Sequence, residues 1–155
     1  MNETSSTNWY YNETELVVSD IPESAIGFVY EITELSTGMK YIGKKMLYSH
    51  KYSVKTTIIK SGPNKGQKKK NKTKIRIWSD WLDYYGSSVE LKELVAKTGA
   101  ENYRREIIRF CDSKSSLSYF EAKRQFETDC LYKPTEYYNA WISVRTRRDH
   151  LLKGT

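Results

Sequence analysis

Of two tyrosines, Tyr30 closes and Tyr41 opens a short β-branched and aromatic run, Phe28-Val29-Tyr30 and Tyr41-Ile42-Gly43. Between them lies Glu34-Leu35-Ser36-Thr37-Gly38, polar and ending in glycine. Two such runs around a glycine-containing turn predict an antiparallel hairpin from about Gly27 to Lys45. Strand side chains alternate between faces, which puts Phe28, Tyr30 and Ile32 on one face of the first strand and Met39, Tyr41 and Gly43 on one face of the second. Two phenol hydroxyls then converge near the glycine end. A phenol ordinarily titrates at about pH 10, so it acts as a base only where nearby cations favour the phenolate. Lys44 and Lys45 follow Gly43 directly and are placed to supply that field. The plainer alternative is a pair of amphipathic strand residues with rings in the core and hydroxyls at the rim.

The elements that must hold these residues follow from the rest of the pattern. The N-terminal stretch is polar, with Trp9, Tyr10, Tyr11 and Leu16-Val17-Val18 as its packing candidates. After the hairpin, from Met46 to Ile77, come nine lysines and Arg76 without a single acid. Ser61-Gly62-Pro63-Asn64-Lys65-Gly66 within it is dense in turn formers, and β-like runs flank it, so the segment reads as a basic excursion shaped as a loop or a second hairpin. Ser87-Ser88 starts a helix with Leu91, Leu94 and Val95 as its apolar stripe and Gly99 as its stop. Tyr103 to Phe110 reads as a buried strand. Ser115 or Ser116 caps a second helix to about Leu131, carrying Leu117, Phe120, Glu121 and Arg124. Trp78 and Trp81 read as core anchors ahead of the first helix. The order predicts a small α/β sandwich.

Composition narrows the partner. The chain has 155 residues, enough for one domain with a modest core. Its net charge is +7 and 14% of it is aromatic, which favours nucleic acid over a membrane surface as the polyanion. No run reaches the roughly 20 apolar residues that span a bilayer, and Met1-Asn2-Glu3-Thr4-Ser5-Ser6 has no export signal, so the expected setting is cytoplasmic. Cys111 and Cys130 alone form neither a disulfide framework nor a zinc site. The lysine run has a bland reading as a solvated loop. Flexible lysines flanked by strands also suit phosphate contact with little base readout, and Lys44, Lys51, Lys55, Lys68, Lys69, Lys70, Lys72 and Lys74 are the candidates.

The hairpin resembles that of the GIY-YIG nucleases. Three further matches carry the resemblance: Glu121 within Leu117-Ser118-Tyr119-Phe120-Glu121-Ala122 on a helix after a third strand, Tyr138-Asn139 where the family has a closing asparagine, and Trp81-Leu82-Asp83-Tyr84-Tyr85-Gly86-Ser87-Ser88, similar to a segment of phage-encoded members. It covers roughly residues 27–139. It implies a three-stranded antiparallel sheet flanked by helices, in a nuclease domain at 27–140 with the basic insertion at 46–77, an N-terminal extension at 1–26 and a basic tail at 141–155.

The resemblance also implies a function: a metal-dependent DNA endonuclease, of freestanding phage type, homing-like or host-DNA-degrading. Glu121 would hold Mg²⁺ or Mn²⁺, Tyr30 would position the attacking water and accept its proton, Tyr41 would bond the phosphate or orient the water, and Asn139 would brace the tyrosine or the metal shell. One departure stands out. Where members carry a helical arginine about ten residues after the second tyrosine, this chain has Lys51, with Arg76 and His50 as the alternatives; Lys45 counts among the catalytic residues for the field it would supply to the tyrosine. Arg76 is preferred because only arginine offers a bidentate fork. Double-stranded DNA is the implied substrate, and cutting both strands with one site per chain calls for a homo-oligomer or sequential nicking. Taken without the resemblance, Glu121 could be an ordinary surface glutamate or the partner of a hard divalent cation, and Asn139 a turn former or a site residue. The competing reading of the whole chain is a non-catalytic nucleic-acid-binding module.

Overall fold

The computed structural model describes residues 5–152. The chain divides into two units, one running through Leu47 and resuming at Asp80, the other spanning Tyr48–Ser79.

The first unit is built on one sheet. Strands β3 (Gly27–Glu34) and β4 (Lys40–Met46) form the expected hairpin, with Tyr30 opposite Gly43 and Tyr41 opposite Ile32. The tyrosines are therefore diagonal neighbours on one face. β7 (Tyr103–Cys111) pairs antiparallel on the other side of β3. The three-stranded sheet expected from the sequence is too small, however. β1 (Ser6–Tyr11) and β2 (Thr14–Val17) extend it to five strands in the order β2-β1-β7-β3-β4, and the sheet is mixed because β1 joins β7 in parallel. The physical reason is burial: Trp9 and Leu16 are core residues that also cover what would be an open edge of β7. Asn12 (φ 49°) and Glu13 (φ 66°) make the β1–β2 connection, both left-handed as a two-residue hairpin turn needs.

Each sheet face has its own cover. Helix α2 (Lys114–Glu127) lies on one face, where Leu117 packs with Val29, Ile42 and Cys111. It begins earlier than the sequence suggests, because Ser113 and Ser116 form a reciprocal capping box, and it ends before the turn at Cys130–Tyr132. The other face carries Phe28, Tyr30 and Trp9 under Trp81 and Tyr84, packed edge to face at 5.0–6.1 Å between ring centroids. Helix α1 (Val89–Thr98) starts where expected: Ser88 Oγ accepts from the Leu91 N–H, and Gly99 follows at φ 95°. The tail contains one short helical segment, α3 (Arg148–Leu151). Among the described residues no helix is long and apolar enough to cross a membrane.

The second unit is a two-stranded ribbon. β5 (Tyr48–Ile58) and β6 (Lys68–Trp78) pair in unbroken antiparallel register from Tyr48↔Trp78 to Ile58↔Lys68. Its turn is closed by Ile59 N–H to Gln67 O at 3.0 Å and Gly66 N–H to Ile59 O at 2.9 Å. Trp78 belongs here rather than to a core. It stacks on Tyr48 at 4.6 Å and is 39% exposed, whereas Trp81 is fully buried in the sheet unit.

Candidate active site

Tyr30 lies flat across Gly43, and this close approach explains the glycine. A methyl group on Gly43 would stand 2.4 Å from the Tyr30 hydroxyl and 2.7 Å from Cζ. The Tyr30 and Tyr41 rings are 6.3 Å apart between centroids. Tyr30 is completely buried, and its hydroxyl has no hydrogen-bond partner among the described residues. Burial, reinforced by Tyr84 and Tyr41, pushes its pKa well above the ordinary phenol value. Tyr41 shares a 2.6 Å hydrogen bond with Ser87 Oγ, and burial raises its pKa as well. Both shifts run opposite to the one a phenolate base requires. A β-bulge at Ile108, where β7 shifts register against Val29 and Tyr30, sits beside this tyrosine.

The outer edge of β4 is finished by the chain end of the domain. Lys40 N–H donates to Glu136 O and Tyr138 N–H to Lys40 O, both at 2.8 Å, as in a short parallel bridge. Two residues along β4, the Asn139 side chain continues the pattern. Its Oδ1 accepts from Ile42 N–H at 2.9 Å and its Nδ2 donates to Ile42 O at 2.8 Å. Gln125 Nε2 donates to the same carbonyl at 3.2 Å. Asn139 is buried and both ends of its amide are engaged. It is a clamp on the strand between Tyr41 and Gly43.

Glu121 rises from α2 to the same edge. Its Oε2 pairs with Lys44 Nζ at 2.9 Å, and Lys44 also donates to Ser118 Oγ at 3.1 Å. Tyr41, Lys44, Tyr84, Ser87, Glu121 and Asn139 line one cleft of about 550 Å³. Tyr41 comes from one sheet face and Glu121 from the other, and they meet because β4 is the edge strand. Tyr30 lies directly behind Tyr41 and Tyr84.

Lys44 and Lys45, neighbours in sequence, part company by strand alternation. Lys45 points to the aromatic face, paired with Asp80 and 3.9 Å from the Tyr84 ring centroid. That pairing, more than any other cause, lowers the Asp80 pKa. Arg76 lies in the ribbon, its guanidinium 3.3 Å from the centroid of Tyr48. Lys51, Lys55, Lys68, Lys69, Lys70, Lys72 and Lys74 belong to the ribbon too.

Two supporting residues escaped the sequence reading. Tyr84 packs edge to face on Tyr30 at 5.9 Å and lines the cleft. Arg105 on β7 fixes the segment that carries it. It is 2% exposed, and its guanidinium donates to Leu82 O at 2.7 Å, Tyr84 O at 3.1 Å, and Thr7 O and Asn8 O at 3.4 Å. The rings of Trp9 and Tyr85 flank it at 4.5 and 4.2 Å. Burial lowers its pKa, against the opposing influence of Tyr85 and Asp83. An arginine in an alternating strand reads as an outward residue, so only its two-residue spacing from Tyr103 and Ile107, both buried, could have flagged it.

One carboxylate lining an open cleft suits a magnesium-type site. Such ions are commonly held by one or two carboxylates, with water and substrate phosphate completing the shell. No group of three or more His, Cys, Asp or Glu side chains among the described residues could hold a metal by itself. The donor set therefore fits an ion shared with a phosphate and does not fit a closed protein cage.

Residues 9–142 match the family model described as "Putative endonuclease segE, GIY-YIG domain". The chain belongs to that GIY-YIG endonuclease family. Neither the curated proteins nor the solved structures returned a match.

Proposed function

We propose that this protein is a metal-dependent DNA endonuclease that hydrolyses phosphodiester bonds of duplex DNA in the β4-edge cleft. The observation that carries the reading is that Tyr41, Lys44 and Glu121 line one cleft of the family-matched unit.

In this reading a scissile phosphate enters beside Glu121. When bound at Glu121, Mg²⁺ or Mn²⁺ supplies Lewis-acid polarisation of a phosphate oxygen. Water attacks phosphorus, a new P–O bond forms and the bond to the 3′ oxygen breaks; the water gives up its proton to solvent, and the departing 3′ oxygen takes one from solvent. Lys44 is the ammonium nearest the carboxylate, and it donates to the phosphate as negative charge builds on it. Tyr41, held by Ser87, bonds a phosphate oxygen. Tyr30 carries a buried hydroxyl beside Tyr84 and Tyr41. We assign it to orienting the water or a phosphate oxygen as a donor. Burial argues against the proton-accepting role that the family resemblance suggested. Asn139, with Gln125, keeps the β4 peptide in place and is a positioning residue. Lys45 acts from behind, through Tyr84. Arg76 is assigned, with the ribbon that carries it, to DNA binding and not to the chemical step.

The test is nicking of supercoiled plasmid with Mg²⁺ by the wild type and Glu121→Ala, with duplex binding measured in parallel. Loss of nicking with binding retained supports the assignment. Wild-type nicking by the variant removes Glu121 from it, and no nicking by either protein leaves the binding-module reading.

A further inference from the structure

The ribbon's register sorts its cations. Because side chains alternate along a strand and paired residues share a face, Lys68, Lys70, Lys72, Lys74 and Arg76 all stand on one face of β6. On the same face β5 presents Tyr48, His50, Tyr52 and Val54. Lys72 lies 4.9 Å from the centroid of Tyr52, and Arg76 lies on Tyr48. The aromatic rings thus support the cations from the neighbouring strand. The opposite face is different. It carries Lys51, Lys55 and Lys69 scattered among Ser49, Ser53, Thr57, Asn71, Thr73 and the exposed Ile75 and Ile77, with Asn71 Nδ2 donating to Thr57 Oγ1 at 3.0 Å.

Nothing inside the ribbon offsets this charge. Both strands are solvent-exposed along almost their whole length, and the unit contains ten cations and no acid. An isolated two-stranded ribbon is marginal in water even without self-repulsion, so a polyanion is the natural counterpart. The five cations sit at every second residue over nine positions, a straight row of roughly 27 Å at strand rise. That is most of one turn of B-DNA, about 34–36 Å. A duplex stays straight over such a distance, with a persistence length of about 50 nm.

We propose that the ribbon is a one-sided phosphate rail for duplex DNA. The face bearing Lys68, Lys70, Lys72, Lys74 and Arg76 follows the backbone, and the Lys51-Lys55-Lys69 face stays in solvent. The inference rests on the endonuclease reading only for the identity of the polyanion.

The experiment measures affinity of the full chain for a 20-base-pair duplex against salt concentration, with a chelator present so that no strand is cut. Each phosphate contact contributes a slope of about 0.9 in log affinity against log salt. Replacing Lys68, Lys70, Lys72 and Lys74 by Gln lowers the slope by about 3.6. Replacing the same four by Arg retains it, which separates charge from folding. Replacing Lys51, Lys55 and Lys69 by Gln lowers it by less than about 1. Three outcomes overturn the proposal: a fall of about 2.7 in the triple variant, an unchanged slope in the quadruple Gln variant, or a lost slope in the Arg variant. Anionic phospholipid vesicles held as tightly as the duplex overturn the choice of partner. Plasmid nicking on the same preparation reads the cleft separately. A chain that shows the rail but never nicks removes the nuclease reading alone, and one that nicks without the face preference removes the rail alone.

Discussion

The sheet unit and the ribbon are opposites in how they are stabilised and in what charge they carry. The sheet unit buries Trp9, Phe28, Tyr30, Ile42 and Trp81 completely, while no residue of β5 or β6 is buried. The ribbon holds ten cations and no acid, and since the whole chain is +7, the remainder is net −3. A basic isoelectric point of 9.3 therefore says nothing about the cleft. There, the one carboxylate is matched by one ammonium, at the edge of a mildly acidic unit. The division suggests separate duties, with long-range attraction to DNA in the ribbon and short-range charge control at Glu121.

Substitutions that hit one side only can break that division. The largest effect is expected at Glu121: Glu121→Gln should slow cleavage on the order of 10³-fold, about 4 kcal/mol in the barrier, with unchanged duplex affinity in gel-shift titrations. Next comes Arg105→Ala, which strips four carbonyls of their buried donor. It should destabilise the sheet unit by about 3 kcal/mol in urea unfolding and leave the ribbon's salt slope unaltered at temperatures where the sheet is folded. Gly43→Ala pushes a methyl into the Tyr30 phenol. Overpacking of this kind costs about 1–3 kcal/mol, and the same variant should lose cleavage because Tyr30 is displaced. Asn139→Ala leaves the Ile42 peptide without its clamp, for a loss of about 1–2 kcal/mol, read out by thermal unfolding.

The smallest effect is acid sensitivity of the sheet unit. Glu34 accepts from Thr37 and Tyr138, and the Thr37 bond foremost lowers its pKa from the ordinary 4.5. A depressed carboxylate contributes stability that is complete above its unfolded value and lost as pH falls through the lower folded value. The urea midpoint should hold steady down to about pH 4.5 and decline below it, and Glu34→Gln should flatten that decline.

The hairpin, the third strand and the capped first helix were legible because alternation, glycine placement and capping residues are local signals, whereas the expectation that Tyr41, Glu121 and Asn139 gather came from the resemblance to the GIY-YIG nucleases. What escaped depended on partners distant in the chain. The β1–β2 turn is Asn12-Glu13, and glutamate at φ 66° gives none of the Asn-Gly signal that marks such turns. Trp78 and Trp81 look equivalent three residues apart, yet they fall in different units. Lys44 and Lys45 look interchangeable, and only the strand phase shows which one reaches Glu121. The base role given to Tyr30 assumed a cationic, wet setting, whereas its buried ring faces Trp9, Phe28 and Tyr84.

The central claim is that chemistry resides in the cleft and grip in the ribbon. It is tested most directly by single-turnover cleavage of one defined duplex with Mg²⁺ over a range of protein concentrations, comparing wild type, Glu121→Gln and the quadruple ribbon Lys→Gln variant. Expected is a ribbon variant that needs more protein to saturate but reaches the wild-type rate, and a Glu121→Gln that saturates normally and hardly cuts. A Glu121→Gln protein that cuts at the wild-type rate, or a ribbon variant that stays slow at saturation, contradicts it.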